Sequence, residues 1–110
     1  MRGLRVSVSI CDTAFAVFVR HFIVKGRVQG VGFRWYVQRE ASQLGLRGWV
    51  RNTADGDVEV LAAGTADQLK VLREALARGS RGSRVDGIDQ RERPETEAEN
   101  LREFEIEGAW

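Results

Sequence analysis

The chain contains few of the residues on which disulfides and metal sites depend. Its 110 residues include one cysteine, Cys11, and one histidine, His21. A single cysteine cannot form an internal disulfide or a cysteine-rich metal site, and such sparse use of cysteine suits a reducing cytoplasm. A single histidine cannot supply a histidine-based metal cluster. We therefore expect a cytoplasmic protein without a metal site.

The chain also lacks an excess of charge of one sign and a long apolar run. Lysine and arginine number 17 against 16 aspartates and glutamates, so the formal net charge is +1 and no overall field attracts nucleic acid. The apolar-rich segment 4–19 is interrupted by Asp12 and has no clear cleavage signal. No apolar run reaches the roughly 18 residues that span a bilayer. We expect neither a nucleic-acid nor a membrane partner, and any anion site must be local.

The hydrophobic periodicity predicts one α+β domain. Strand-like alternation and helical spacing follow one another in the order strand, helix, strand, strand, helix, strand, with a further strand at the end. This order predicts a split β-α-β sandwich, with two helices on one face of a mostly antiparallel sheet. The predicted segments are the strands His21–Gly26, Arg47–Asn52, Val58–Gly64, Val85–Glu92 and Arg102–Gly108, the helices Phe33–Leu44 and Thr65–Arg78, and an exposed loop "PETEAEN".

The stretch "GRVQGVGFRWY" (Gly26–Tyr36) predicts an anion site at the start of the first helix. A glycine-rich turn lets successive backbone N–H groups converge on a phosphate, and the helix N-terminus adds positive potential. Neither the P-loop nor the dinucleotide fingerprint fits, because Phe33-Arg34 replaces Lys-Ser/Thr and Trp35 occupies the place of the third glycine. An arginine in the first helical turn opposes the helix dipole by about 0.3–1 kcal/mol unless an anion is bound. The alternative is a solvated surface arginine.

The motif "GRVQGVGFR", followed by "GWVRNTADGDVEV", resembles the acylphosphatase family, small enzymes that hydrolyse the carboxyl–phosphate mixed anhydride. The resemblance runs from about Arg20 to the C-terminus and implies a ferredoxin-like fold. It implies that Arg34 and Asn52 are catalytic, with Asn52 positioning the attacking water. Without the resemblance, Asn52 is better interpreted as a turn residue. The implied phosphate-binding loop consists of Gln29, Gly30, Val31, Gly32, Phe33 and Arg34.

The resemblance also implies a small-molecule acyl phosphate as substrate and no cofactor, and a compact monomer is the default expectation. Residues 1–18 are predicted to be an N-terminal extension before an acylphosphatase-like domain of residues 19–110. Thr53 either orients Asn52 or serves as a turn hydroxyl, and Trp35, Tyr36 and Trp49 are expected to pack near the loop. Three alternatives stay open: an RNA-binding sheet, a carbamoyl-phosphate domain of a larger maturation enzyme, and a phosphate-binding protein without turnover.

Overall fold

The computed structural model describes residues 16–108, which form two helices against one five-stranded sheet. Cys11 and most of the predicted extension lie outside the described residues. Both predicted helices and all five predicted strands are present, although the first strand begins earlier and the last is shorter than expected. The elements are β1 (Phe18–Arg27), α1 (Phe33–Gln43), β2 (Arg47–Asn52), β3 (Val58–Gly64), α2 (Ala66–Arg78), β4 (Arg84–Arg93), a 3-10 helix (Glu95–Ala98) and β5 (Phe104–Ile106).

The strand order β4-β1-β3-β2-β5 confirms the ferredoxin-like α+β fold. Every neighbouring pair is antiparallel except β2 with β5, which is parallel. Since β1 and β2 each run antiparallel to β3, they run parallel to each other. The end of β1, which leads into the glycine loop, and the end of β2 therefore reach the same edge of the sheet.

The main core fills the space between the two helices and one face of the sheet. Alternate strand residues point into it, as the period of two requires. The fully buried strand positions include Phe22, Val24, Val50, Val58 and Val60, and the helices contribute Phe33, Val37, Leu69, Leu72 and Leu76. In β5 it is Phe104 that is buried, while Ile106 is half-buried.

The opposite face of the sheet carries a smaller apolar cluster, which corrects two predictions. The segment expected to be an exposed loop is exposed apart from Ala98, but it contains the 3-10 helix, and Ala98 is buried against Val19, Leu61 and Ala63. Trp49 packs on this same face, with its ring centroid 6.4 Å from that of His21. The expectation that Trp49 packs near the glycine loop is therefore wrong.

Candidate active site

The sheet register brings Asn52 beside the glycine loop. Val24, near the end of β1, pairs with Val58 of β3, and Val58 pairs in turn with Asn52, the last residue of β2. The chain leaves β1 only three residues after Val24 and enters the loop. Strand pairing thus brings Asn52 to the edge from which the glycine loop leaves, although Gly30 and Asn52 lie 22 positions apart in the sequence.

The loop owes its shape to two glycines in the left-handed region. Gly30 has φ 75° and Gly32 has φ 74°, whereas Val31 between them has a negative φ. Left-handed residues in a turn are typical of backbone loops that direct successive N–H groups toward an anion. A Cβ atom at either glycine would meet nothing within 4 Å, so glycine is required here by the backbone conformation and not by lack of room. Open space lies above the loop.

The N-terminus of α1 is left without the side chains that usually stabilise a helix start. Gly32 is its N-cap, no side chain caps it, and its first turn contains no acidic residue. The start of α2, in contrast, has both a side-chain cap and an acidic residue: Thr65 and Gln68 form a reciprocal capping box, and Asp67 lies in the first turn. The positive end of the α1 dipole is therefore not offset by a carboxylate of its own first turn.

Arg34 is a buried cation held by the C-terminal segment. Among the charged residues within residues 16–108, only Arg34 is buried, with 8% of its surface exposed. The Nη1 of Arg34 donates a hydrogen bond to the carbonyl oxygen of Glu107 at 3.2 Å. Glu107 is itself fixed, because its N–H donates to the carbonyl of Val50 at 2.8 Å. This burial contradicts the alternative of a solvated surface arginine.

Asn52 carries a buried polar atom that lacks a partner. Within the described part of the chain, no hydrogen-bond donor reaches its Oδ1. Buried polar atoms are satisfied in the large majority of cases, so an exception at a cavity indicates a group that binds water or ligand. Asn52 lines a cavity of about 270 Å³ together with Val28, Gly30, Gly32, Phe33, Arg34 and Trp35.

Two of the predicted loop residues do not line this cavity. Val31 packs against the main core. The side-chain Nε2 of Gln29 donates to the carbonyl oxygens of Thr53 at 2.8 Å and Asp57 at 2.7 Å. Gln29 therefore ties the glycine loop to the turn that follows Asn52, a role that no local sequence signal indicates because the turn lies 24 residues away.

Thr53 is a turn residue in this structure. Its hydroxyl accepts a hydrogen bond from the Asp57 N–H at 3.1 Å, and its own N–H donates to the Asp57 carbonyl at 2.9 Å. These contacts close the turn between β2 and β3. Of the two interpretations of Thr53, they favour the turn hydroxyl.

A second cavity, of about 420 Å³, lies on the sheet face opposite the helices. Glu59 lines it and contacts two basic side chains: its Oε1 accepts from Arg51 Nε at 2.9 Å, and its Oε2 lies 2.6 Å from His21 Nε2. Burial raises the pKa of Glu59, but the hydrogen bonds to Arg51 and His21 outweigh burial and hold the pKa below its ordinary value. None of the glycine-loop residues lines this cavity.

Comparison with known proteins identifies the family. A family model described as acylphosphatase matches residues 20–106. The chain belongs to the acylphosphatase family. It is 55% identical over 92 residues to the acylphosphatase of Koribacter versatilis (strain Ellin345), which covers 83% of this chain and 81% of that relative. The chain is an acylphosphatase by these relationships, and its reaction is the hydrolysis of acyl phosphates.

Solved structures agree with this assignment. The crystal structure of acylphosphatase from Bacillus subtilis superposes with a TM-score of 0.78 at 43% identity, and covers 83% of this chain and 99% of that chain. Full-length HypF superposes with a TM-score of 0.72 at 24% identity, but the match spans only 12% of that chain. The second likeness shows the fold alone.

Two further observations bear on the acylphosphatase site. Residues 16–108 contain no group of three or more histidine, cysteine or acidic side chains arranged to hold a metal ion. In the same range, no helix combines the length and apolar character needed for a membrane crossing. The extension at residues 1–18, the monomeric state, the cytoplasmic location and the lack of a nucleic-acid partner stay predictions.

Proposed function

We propose that the glycine loop and Arg34 bind the phosphoryl group of an acyl phosphate, while Asn52 positions the water that attacks it. The observation that carries this proposal is the unpaired, buried Oδ1 of Asn52 in the same cavity as the buried guanidinium of Arg34. The Oδ1 of Asn52 can accept a hydrogen bond from a water molecule, and the guanidinium of Arg34 can bind an anion. Family membership supports the reaction, and the geometry of the cavity supports the residue roles.

The phosphoryl group is bound by backbone and guanidinium donors. Three sources of positive potential meet at this cavity. They are the backbone N–H groups of the glycine loop around Gly30 and Gly32, the start of α1, and the guanidinium of Arg34. A phosphoryl group has three terminal oxygens, and arginine can bind two of them in a bidentate manner. These donors are already fixed in place, so little reorganisation opposes charge redistribution in the transition state.

Asn52 is suited to orienting water but not to removing its proton. A carboxamide does not ionise near neutral pH, and its Oδ1 is an acceptor. A water that donates one hydrogen to Oδ1 has its lone pair free to attack phosphorus. The water oxygen forms the new P–O bond, the bond from phosphorus to the acyl oxygen breaks with its electron pair going to the carboxylate, and the released proton passes to a phosphate oxygen.

The composition of the cavity also supports the substrate class. Among its described lining residues only Arg34 is ionisable, so none is a carboxylic acid or a histidine. An alkyl phosphate would need a general acid to protonate its alkoxide leaving group. A carboxylate needs none, since carboxyl groups have pKa values near 4. The site therefore fits acyl phosphates better than alkyl phosphate monoesters.

The test is the hydrolysis of benzoyl phosphate in the presence of a chelator. We expect the parent protein to be active and insensitive to the chelator, and Arg34→Ala to lose about 10²–10³ in kcat/KM, as the loss of one preorganised donor typically does. Arg39→Ala is the matched control, because Arg39 is an exposed arginine of the same helix. It should retain activity within twofold.

Two outcomes would contradict the proposed roles. Activity that survives in Arg34→Ala would show that the guanidinium is not part of the site. Binding of inorganic phosphate by a parent protein that hydrolyses no acyl phosphate would instead identify a phosphate-binding protein without turnover.

A further inference from the structure

Trp35 occupies an unusual place at the cavity with Arg34 and Asn52. It lines this cavity and is 53% exposed, the highest exposure among the large hydrophobic residues of the described chain. Single exposed apolar residues are common and need no explanation by themselves. The feature that calls for an explanation is the exposed indole at the mouth of a site that binds a small molecule.

The fold does not need Trp35 for its core. Helix α1 buries Phe33, Val37 and Ala41 at intervals of four, and Trp35 lies outside this stripe. Its neighbour Tyr36 shows the contrast, since Tyr36 packs against the core and its hydroxyl donates to the carbonyl of Ala75 at 2.8 Å. Trp35 is thus the aromatic residue of this turn that is directed to the cavity and not to the interior.

The cavity divides into a polar part and an apolar part. By chemistry, the glycine backbone, Arg34 and Asn52 are the polar lining groups, which suit the phosphoryl group. Val28 and Phe33 are apolar but only 1% exposed, so they offer a ligand very little surface. Trp35 is left as the apolar surface that an acyl group can cover.

We propose that Trp35 is the platform on which the acyl group of the substrate lies, and that it makes the enzyme selective for acyl phosphates with flat or large apolar acyl groups. This inference rests on the proposed function of the loop. In an in-line displacement the leaving group departs on the side opposite the attacking water. Asn52 belongs to β2 and Trp35 to α1, so the two residues approach the loop from different elements. The flat face of an indole stacks well on planar groups.

The proposal is tested by comparing two substrates that differ only in the acyl group. For Trp35→Ala we expect kcat/KM with benzoyl phosphate to fall about tenfold, equivalent to about 1.4 kcal/mol. The value for acetyl phosphate, whose methyl group covers little of the indole, should stay within about twofold, as should the inhibition constant of inorganic phosphate. Trp35→Phe keeps a flat ring and should recover most of the activity with benzoyl phosphate.

A control variant on α2 tests whether the effect is specific to Trp35. Val71→Ala truncates another exposed apolar residue, on α2, and should leave both substrates unchanged. An equal fall with benzoyl and acetyl phosphate in Trp35→Ala would overturn the platform, because it would indicate damage to the loop. So would the absence of any fall with benzoyl phosphate.

A binding experiment separates this inference from the proposed function. A parent protein that hydrolyses neither substrate would contradict the proposed function and leave the platform to be judged by calorimetry. Phenylphosphonate should then bind the parent about tenfold more tightly than methylphosphonate, and Trp35→Ala should remove this preference. Equal affinities of the parent for the two phosphonates would overturn the platform.

Discussion

At the scale of single residues, the two groups proposed for catalysis differ in how their polar atoms are satisfied. Arg34 is oriented by the Glu107 carbonyl, whereas the Oδ1 of Asn52 is buried without a partner in the described chain. Leaving a buried acceptor unsatisfied costs about 1–3 kcal/mol. A residue retained at that cost is best explained by a ligand, and the explanation can be checked by measuring stability and activity together.

For Asn52→Ala we therefore expect activity and stability to change independently. The kcat should fall about 10²–10³-fold while the inhibition constant of inorganic phosphate changes little, since phosphate is bound by other groups. The free energy of unfolding from urea denaturation should stay the same or rise by up to about 1 kcal/mol, because an unsatisfied group is removed. If Asn52 is only a turn residue, stability should fall and kcat should remain near that of the parent.

The side-chain amide of Gln29 connects the glycine loop to the turn that follows Asn52. Both hydrogen bonds from its Nε2 end on carbonyl oxygens of the turn, so Gln29→Ala leaves these carbonyls without that donor. We expect a loss of about 1–2 kcal/mol in the free energy of unfolding and a clear fall in kcat, because the loop and Asn52 are no longer tied together.

Gln29→Glu is the informative companion variant. A carboxylate has no hydrogen to donate and would face two carbonyl oxygens, so the variant should be less stable than Gln29→Ala at pH 7. Part of this loss should be recovered near pH 4, where the carboxyl group gains a proton it can donate. Equal stability of the two variants across this pH range would argue against the contact.

Single residues also show where sequence reasoning reaches its limit. The positions of Arg34 and Asn52 follow from motifs, and the conformation of Gly30 and Gly32 follows from the chemistry of glycine. The role of Gln29 does not, because its partners are backbone carbonyls of a turn that only the sheet register brings near. Glu107 is similar: any residue could supply the carbonyl that orients Arg34.

At the scale of the elements, the contrast between the two helix starts is informative. Both helices contribute to one core, yet only α2 has a capping box. Since side-chain caps stabilise a helix by about 1 kcal/mol, the chain forgoes this gain at α1. The absence fits a helix start that is reserved for an anion.

Thr65→Ala should therefore lower stability without affecting the reaction. The variant removes the hydroxyl that accepts from the Gln68 N–H at 3.1 Å. We expect the free energy of unfolding to fall by about 1 kcal/mol, measured by urea denaturation, and kcat to stay within twofold. Thr65→Ser keeps the hydroxyl and should restore most of the loss. A large fall in kcat would mean that α2 also controls the site.

The elements themselves were largely predictable because their signals are local. The Asp55-Gly56 turn, the Thr65 cap and the apolar stripe of α2 each depend on residues a few positions apart. The 3-10 helix was missed because its one buried residue, Ala98, is determined by packing against β1 and β3. Trp49 could have been assigned to the sheet face opposite the helices. Its neighbour Val50 points into the main core, and adjacent strand residues point to alternate faces.

At the scale of the whole molecule, the sheet separates two chemically different faces. The helices cover one face with the main core, and the glycine loop and Arg34 lie at its edge. The other face carries a network of charged groups, in which Glu59 contacts His21 and Arg51 and Arg51 in turn lies 3.5 Å from Glu107. The guanidinium of Arg51 also lies 4.2 Å from the centre of the Trp49 ring. His21, Trp49, Arg51 and Glu59 of this network line the cavity on the sheet face opposite the helices.

The Glu59 network should make stability depend on pH in the acidic range. The folded protein holds the pKa of Glu59 below its ordinary value through Arg51 and His21, against the opposing effect of burial. A carboxyl group whose pKa is lowered on folding stabilises the protein above its unfolded pKa, near 4.3, and this stabilisation is lost as pH falls through the lower folded pKa.

In Glu59→Gln the free energy of unfolding should be about 1 kcal/mol lower than in the parent at pH 7, and the difference should shrink between about pH 5 and pH 3. Glu105→Gln, at an exposed position of β5, should follow the parent throughout, and acyl phosphate hydrolysis at pH 7 should be unchanged in both variants. A Glu59→Gln curve that runs parallel to the parent curve down to pH 3 would show that the His21–Glu59–Arg51 contacts do not stabilise the folded chain.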